Sequence, residues 1–218
     1  MSIFLRKVSK YFKEKTELKI FIFFFLFYVL FMSGHMGGDS LWVYLTTESI
    51  VFDGNLQLND HPGKEFQVKE LAGKVEKIYN RGHEPGNESK VYSTFGLGLV
   101  LFQLPFFIFG YIVSFIIKSL PRDYILLFFT SITNCFVSAL LCMVFYKLCS
   151  FFNFSKKVNF WLVLTFGLST LVFPYSRQGF TEPLMCLSTL TSIYLILHYH
   201  RNKNLKYIVF SGLLLGFS

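Results

Sequence analysis

Asp39 stands in Gly37-Gly38-Asp39-Ser40, at the outer end of the first long apolar segment and at the head of a polar loop. A carboxylate placed just beyond a membrane span is costly to desolvate unless it holds a cation, a proton or a substrate hydroxyl. It is therefore the first candidate for chemistry. The structural alternative is a helix cap, because residues 40–52 put Trp42, Leu45, Ser49 and Phe52 on one helical face and read as an interfacial juxtamembrane helix beginning near Asp39. Farther along, Lys90 and Tyr92 put a cation and an aromatic hydroxyl directly before the next apolar segment. A lysine held there suits a lipid phosphate; plain snorkelling needs no ligand. Arg177 and Glu182 occupy a later polar tip, placed to pair with each other or to close a pocket opened by Asp39.

The elements that must hold these residues are written in the composition. Of 218 residues 53% are hydrophobic, 29 are Phe and only 16% are charged, a balance that excludes an ordinary soluble domain. The fold class expected is an all-α membrane protein, a polytopic transmembrane helix bundle with a mixed extracytoplasmic first loop containing juxtamembrane helices. Residues 1–18 read as a basic cytoplasmic N-terminus, 19–36 as the first transmembrane helix, 37–93 as the extracytoplasmic loop and 94–218 as the hydrophobic bundle. The first apolar stretch exceeds a signal-peptide core and no small-x-small cleavage site follows it, so it reads as retained. The last apolar stretch stops at Ser218, which is the expectation of a chain truncated at its C-terminus.

Charge follows the same layout. The loop 37–93 carries nine of the thirteen acidic residues and nets −3, while the remainder nets +11. The basic excess therefore reads as membrane orientation, and no nucleic-acid motif accompanies it. Lys147, Lys156 and Lys157 flank one short connection and Arg201, Lys203 and Lys206 another, and both are expected in the cytoplasm. The segments 158–175 and 180–198 then form a hairpin whose tip carries Arg177 and Glu182 outside, and 124–146 enters from outside. Parity leaves 94–117, with Gly96, Gly98, Pro105 and Gly110, as a kinked in-plane or re-entrant segment on the outer face; the alternative is an ordinary span.

Cys135, Cys142 and Cys149 recur every seven residues among Ser131, Asn134 and Ser138, a small-residue stripe suited to close helix packing. Spread over about three turns, the thiols make a poor metal site. His35, His61 and His83 with Asp39 and Asp60 lack a ligand spacing and read as solvated loop residues. Asp53-Gly54-Asn55 is a turn sequence, and 66–71 with 74–79 read as a small hairpin.

Taken in order, these features resemble the GT-C superfamily of polytopic glycosyltransferases, in its lipid-carrier-dependent, protein-mannosyltransferase-like branch. The resemblance is carried by Gly38-Asp39-Ser40 with Tyr44 and Asp53-Gly54. It continues through Lys90-x-Tyr92-x-x-Phe95-Gly96-x-Gly98, Leu104-Pro105-Phe106-Phe107 and Gly110, and ends with Tyr175-Ser176 and Phe180-x-Glu182-Pro183-Leu184. It implies a polyprenyl-phosphate-linked sugar donor in the membrane lipid, a glycan, lipid or protein acceptor, and a site on the outer face of a bacterial inner membrane. It further implies Asp39 as catalytic base or acceptor-positioning carboxylate, with Lys90, Tyr92, Arg177 and Glu182 binding substrate. The sequence leaves the cofactor open, with a divalent cation as the candidate, and no fixed ligand spacing supports a metal site. The readings beside it are a transporter or flippase of lipid-linked saccharides, which calls for ionisable residues deep in the membrane, and a noncatalytic truncated membrane protein.

Overall fold

A computed structural model describes residues 16–34, 36, 38–58, 83–85 and 91–217. The described chain is mostly helical: α1 (Thr16–Phe31), α2 (Asp39–Phe52), α3 (Leu97–Ile116), α4 (Arg122–Phe151), α5 (Lys156–Ser169), α6 (Val172–Ser176), α7 (Glu182–Asn202) and α8 (Lys206–Phe217). One antiparallel ladder joins β1 (His83–Pro85) to β2 (Val91–Ser93), with Glu84 opposite Tyr92. Of the described helices, α3 and α4 are long and apolar enough to cross a membrane. The hairpin expected at 66–79 lies outside the described residues.

The chain forms two compact units, one of residues 1–32, 134–177 and 182–218, the other of residues 33–133 and 178–181. In the first, α1 runs parallel to α5 and α6. Ile20, Phe23 and Phe24 lie along Phe160, Val163 and Leu164, and Tyr28 and Phe31 reach Phe173. The last half of α4 runs antiparallel to α5, from Asn134 beside the Tyr175 carbonyl, through Phe145 stacked on Phe166 at 4.2 Å, to Ser150 beside Asn159. α7 and α8 form an antiparallel pair sealed by reciprocal hydrogen bonds of Ser192 and Ser211, each hydroxyl donating to the other residue's carbonyl. His198 touches Phe151 as well as Tyr207, so the α4–α5 and α7–α8 connections share an end of this unit with the start of α1. Lys19, Lys147, Lys156, Lys157, Arg201, Lys203 and Lys206 gather there. The opposite end holds Phe31, whose carbonyl accepts from Arg177 Nε at 2.8 Å, together with Asn134 and Tyr175.

The segment 158–175 was expected as one element and is divided. The Thr170 hydroxyl donates to the Phe166 carbonyl at 2.5 Å and accepts from Val172 N at 3.3 Å, so one side chain closes α5 and opens α6. Ser155 caps the start of α5 by accepting from Val158 N. The cysteine stripe behaves as packing chemistry: Cys135, Cys142 and Cys149 are buried, and Cys142 lies 3.3 Å from the Tyr28 hydroxyl.

The second unit centres on α2, α3 and the first turns of α4. Asp53-Gly54-Asn55 is the expected turn, with Gly54 at φ 65° and the Asn55 carboxamide oxygen accepting from Gln57 N at 2.7 Å. α3 runs unbroken through Pro105 as 20 helical residues. Leu99, Val100, Gln103, Phe107 and Gly110 face inward, while Leu101, Ile108, Ile112, Phe115 and Ile116 are exposed.

The α1–α5 contact supplies a stability test. A Cβ added to Gly167 would overlap the Phe24 ring and lie 3.0 Å from the Cys142 sulfur. Gly167→Ala is expected to destabilise the detergent-solubilised protein by ~1–3 kcal/mol, as overpacking does. Gly212→Ala on α8, where nothing lies within 4 Å, is the matched control and should be neutral. Thermal unfolding followed by monodispersity checks both.

Candidate functional site

Asp39 is the first residue of α2 and is exposed. The cap is not Asp39 but Gly38, in a positive-φ conformation at 57° with no side-chain cap hydrogen bond, so the capping reading of Asp39 is corrected by one position. As a first-turn residue the carboxylate meets the positive end of the helix dipole, a favourable placement at a helix start.

α2 itself is not an interfacial helix with one buried face. Trp42, Leu45 and Ser49 are buried as the pattern required, but so are Ser40, Val43, Tyr44, Thr46 and Thr47, which cover the rest of its circumference. Three of the buried hydroxyls bond to nearby carbonyls: Thr46 donates to the Trp42 carbonyl at 2.8 Å. Thr47 lies within 2.9 Å of the Val43 carbonyl. Ser49 donates to the Gln57 carbonyl at 2.5 Å. Tyr44 packs on Phe107, and its burial, with Glu48 and Asp123 nearby, drives its phenol well above the ordinary tyrosine value, Arg122 opposing. The phenol therefore stays protonated at any physiological pH. At the far end of α2 the Arg122 guanidinium stands 4.6 Å from the centroids of both the Phe52 and Tyr111 rings, a cation held between α2 and α3.

Directly beneath the start of α2 lies a polar group that the sequence reading missed. Gln103 of α3 is fully buried, and its Oε1 accepts from the Thr47 hydroxyl at 2.9 Å. Its Nε2 has no hydrogen-bond partner among the described residues. The Thr47 hydroxyl has a single proton for two acceptors, the Val43 carbonyl and Gln103. Gly179 comes close above this pair: a Cβ built there would meet Ser40 Cβ at 3.2 Å and Gln103 Nε2 at 3.3 Å. The signal in the sequence was Gln103 itself, the one carboxamide in the apolar run 97–116.

The remaining candidates divide between the units. Tyr92 is half-buried in β2, in the same unit as Asp39, and Lys90 lies outside the described residues. Arg177 and Glu182 belong to the other unit and are both exposed. Arg177 is held by the Phe31 carbonyl and lies 5.8 Å over the Phe173 ring. Glu182 opens α7. No group of three or more His, Cys, Asp or Glu capable of holding a metal occurs among the described residues. His35, Asp60 and His61 lie outside them, as does the His83 side chain.

Compared with family models, with curated proteins and with solved structures, the chain matches none.

The Thr47–Gln103 pair can be tested by a double-mutant cycle. Thr47→Val removes the one partner of a buried carboxamide and should cost ~1–3 kcal/mol. Gln103→Leu alone deletes the orphaned nitrogen and should be near neutral, and Thr47→Val with Gln103→Leu should recover most of the loss, read by thermal unfolding in detergent.

Proposed function

We propose that this chain is part of a multi-pass membrane glycosyltransferase that moves a sugar from a polyprenyl-phosphate carrier to an acceptor outside the cytoplasm. The observation that carries the reading is the placement of Asp39: an exposed carboxylate on the first residue of a helix whose remaining turns are locked by burial and internal hydrogen bonds. A base fixed to a rigid element and open to substrate is what hydroxyl activation requires. The acceptor hydroxyl would give its proton to the Asp39 carboxylate as its oxygen bonds to the anomeric carbon, and the carrier phosphate would leave with the electron pair of the broken bond. Lys90 is the cation assigned to the departing phosphate and Tyr92, in the same unit as Asp39, the group assigned to a sugar hydroxyl.

The membrane orientation proposed is an inner membrane with the N-terminus in the cytoplasm. Its support is the gathering of three basic segments at one end of the first unit, which suits the positive-inside bias. On that reading the chain leaves this unit at the end of α1 and returns at Asn134 at the same, outer end. A single crossing by α3 in between would break the parity, so α3 is assigned to the outer side with its apolar exposed face in lipid.

Two measurements test the proposal. With single cysteines at Ser93 and Ser119 in a cysteine-free background, an impermeant thiol reagent should label both from outside; labelling of Ser93 alone makes α3 a true crossing and overturns the assigned sidedness. In membranes bearing the full chain, supplied with labelled polyprenyl-phosphate-linked mannose or glucose, Asp39→Asn is expected to reduce transfer by ~10²–10⁴. Transfer unaltered by that change would reject Asp39 as the base.

A further inference from the structure

In the first unit a cavity of about 310 Å³ opens between α1 and α5, lined by Thr16, Lys19, Ile20, Phe23, Phe24, Phe160, Val163 and Leu164. Its walls are aliphatic and aromatic, and among the described residues its one charged lining group is Lys19, near the start of α1. Lys156 stands one helical turn before Phe160 on α5, and side chains four apart share a helix face. Because α1 and α5 run parallel, both lysines fall at the same end of the groove. The acid of that turn, Glu17, is within electrostatic reach of Tyr194 on α7 and does not line the groove. The groove therefore has one polarity: a cationic mouth and an apolar floor that follows α1 from Thr16 to Phe24, ~12 Å of helix.

We infer that this groove holds one acyl chain of an anionic phospholipid from the leaflet at the basic end, with the lipid phosphate between Lys19 and Lys156. The match is of charge and form. A zwitterionic lipid fills the floor equally well but brings a neutral headgroup to two ammonium groups, whereas an anionic headgroup gains their attraction at an interface. Phe23 and Phe160, exposed at 46% and 48%, are the walls such a chain would cover. The inference rests on the proposed membrane insertion and is independent of sugar transfer. It assigns the lipid to the end of the unit opposite Arg177.

The test uses the full chain reconstituted in phosphatidylcholine vesicles, with brominated phosphatidylglycerol as the quencher, and the reciprocal mixture with brominated phosphatidylcholine in phosphatidylglycerol. Phe160→Trp with Trp42→Phe and Trp161→Phe puts the sole tryptophan in the groove wall. Quenching by brominated phosphatidylglycerol should reach its midpoint at a mole fraction about fivefold or more below that of the reciprocal mixture. Lys19→Gln with Lys156→Gln should abolish the difference. A reporter at Leu213, exposed on α8, should see both quenchers alike. Equal quenching at the groove overturns the inference while leaving membrane insertion intact. No quenching by either lipid at any reporter overturns both.

Discussion

The first unit depends on a missing side chain. At Gly167 the Phe24 ring occupies the volume a Cβ would take, and this close approach lets the Tyr28 hydroxyl donate to the Gly167 carbonyl at 2.9 Å while lying 3.3 Å from Cys142. Three helices, α1, α4 and α5, thus meet at one point. In an apolar solvent helices gain little from burying more hydrocarbon, so close packing and short hydrogen bonds decide which faces and directions pair. The contact fixes α1 parallel to α5, and everything said about which loops share an end follows from that direction.

The second unit solves a different problem, how to bury hydroxyls and an amide around a short helix. Thr46 and Thr47 bond back to the carbonyl four residues earlier, so they enter the interior without asking anything of their neighbours. Gln103 cannot do the same, since a carboxamide offers two N–H donors and a carbonyl and finds one hydroxyl. Such an imbalance, in a helix otherwise apolar, is what distinguishes a specified polar position from generic core. Its nearness to Ser40 and Gly179 puts it under the residue adjacent to Asp39, and that shared framework holds the start of α2 in place.

The helical architecture was legible because apolar runs of this length leave few alternatives: the boundaries of α3, α4 and α7 fall within a few residues of those expected from hydropathy. What was not legible depended on tertiary partners. Residues 40–52 have the pattern of a surface helix, yet the buried threonines are invisible to a hydrophobicity count because their polarity is neutralised by the backbone. The break at Thr170 likewise hinges on one hydroxyl bonding in two directions. Asp39 lies at the head of a helix as expected, and the alternative that it caps that helix fails by one residue, because Gly38, at positive φ, takes the cap position. Gln103 was overlooked because the argument sought charges, while in an apolar run an amide is the stronger anomaly.

The two readings of Asp39 differ in what the rest of α2 must do. A carboxylate that only stabilises a helix end needs no rigid support, because a dipole interaction of this kind tolerates motion of the side chain and falls off within the first turn. A carboxylate that receives a proton from an attacking hydroxyl must hold its oxygen within a few tenths of an ångström of the reactive position. Burial around nearly the whole circumference of α2, the Thr47–Gln103 contact below it and the Arg122 clamp across Phe52 and Tyr111 at its end supply much more rigidity than a helix terminus requires. An exposed carboxylate on a helix fixed in this way is what the proposed role of Asp39 as a base requires.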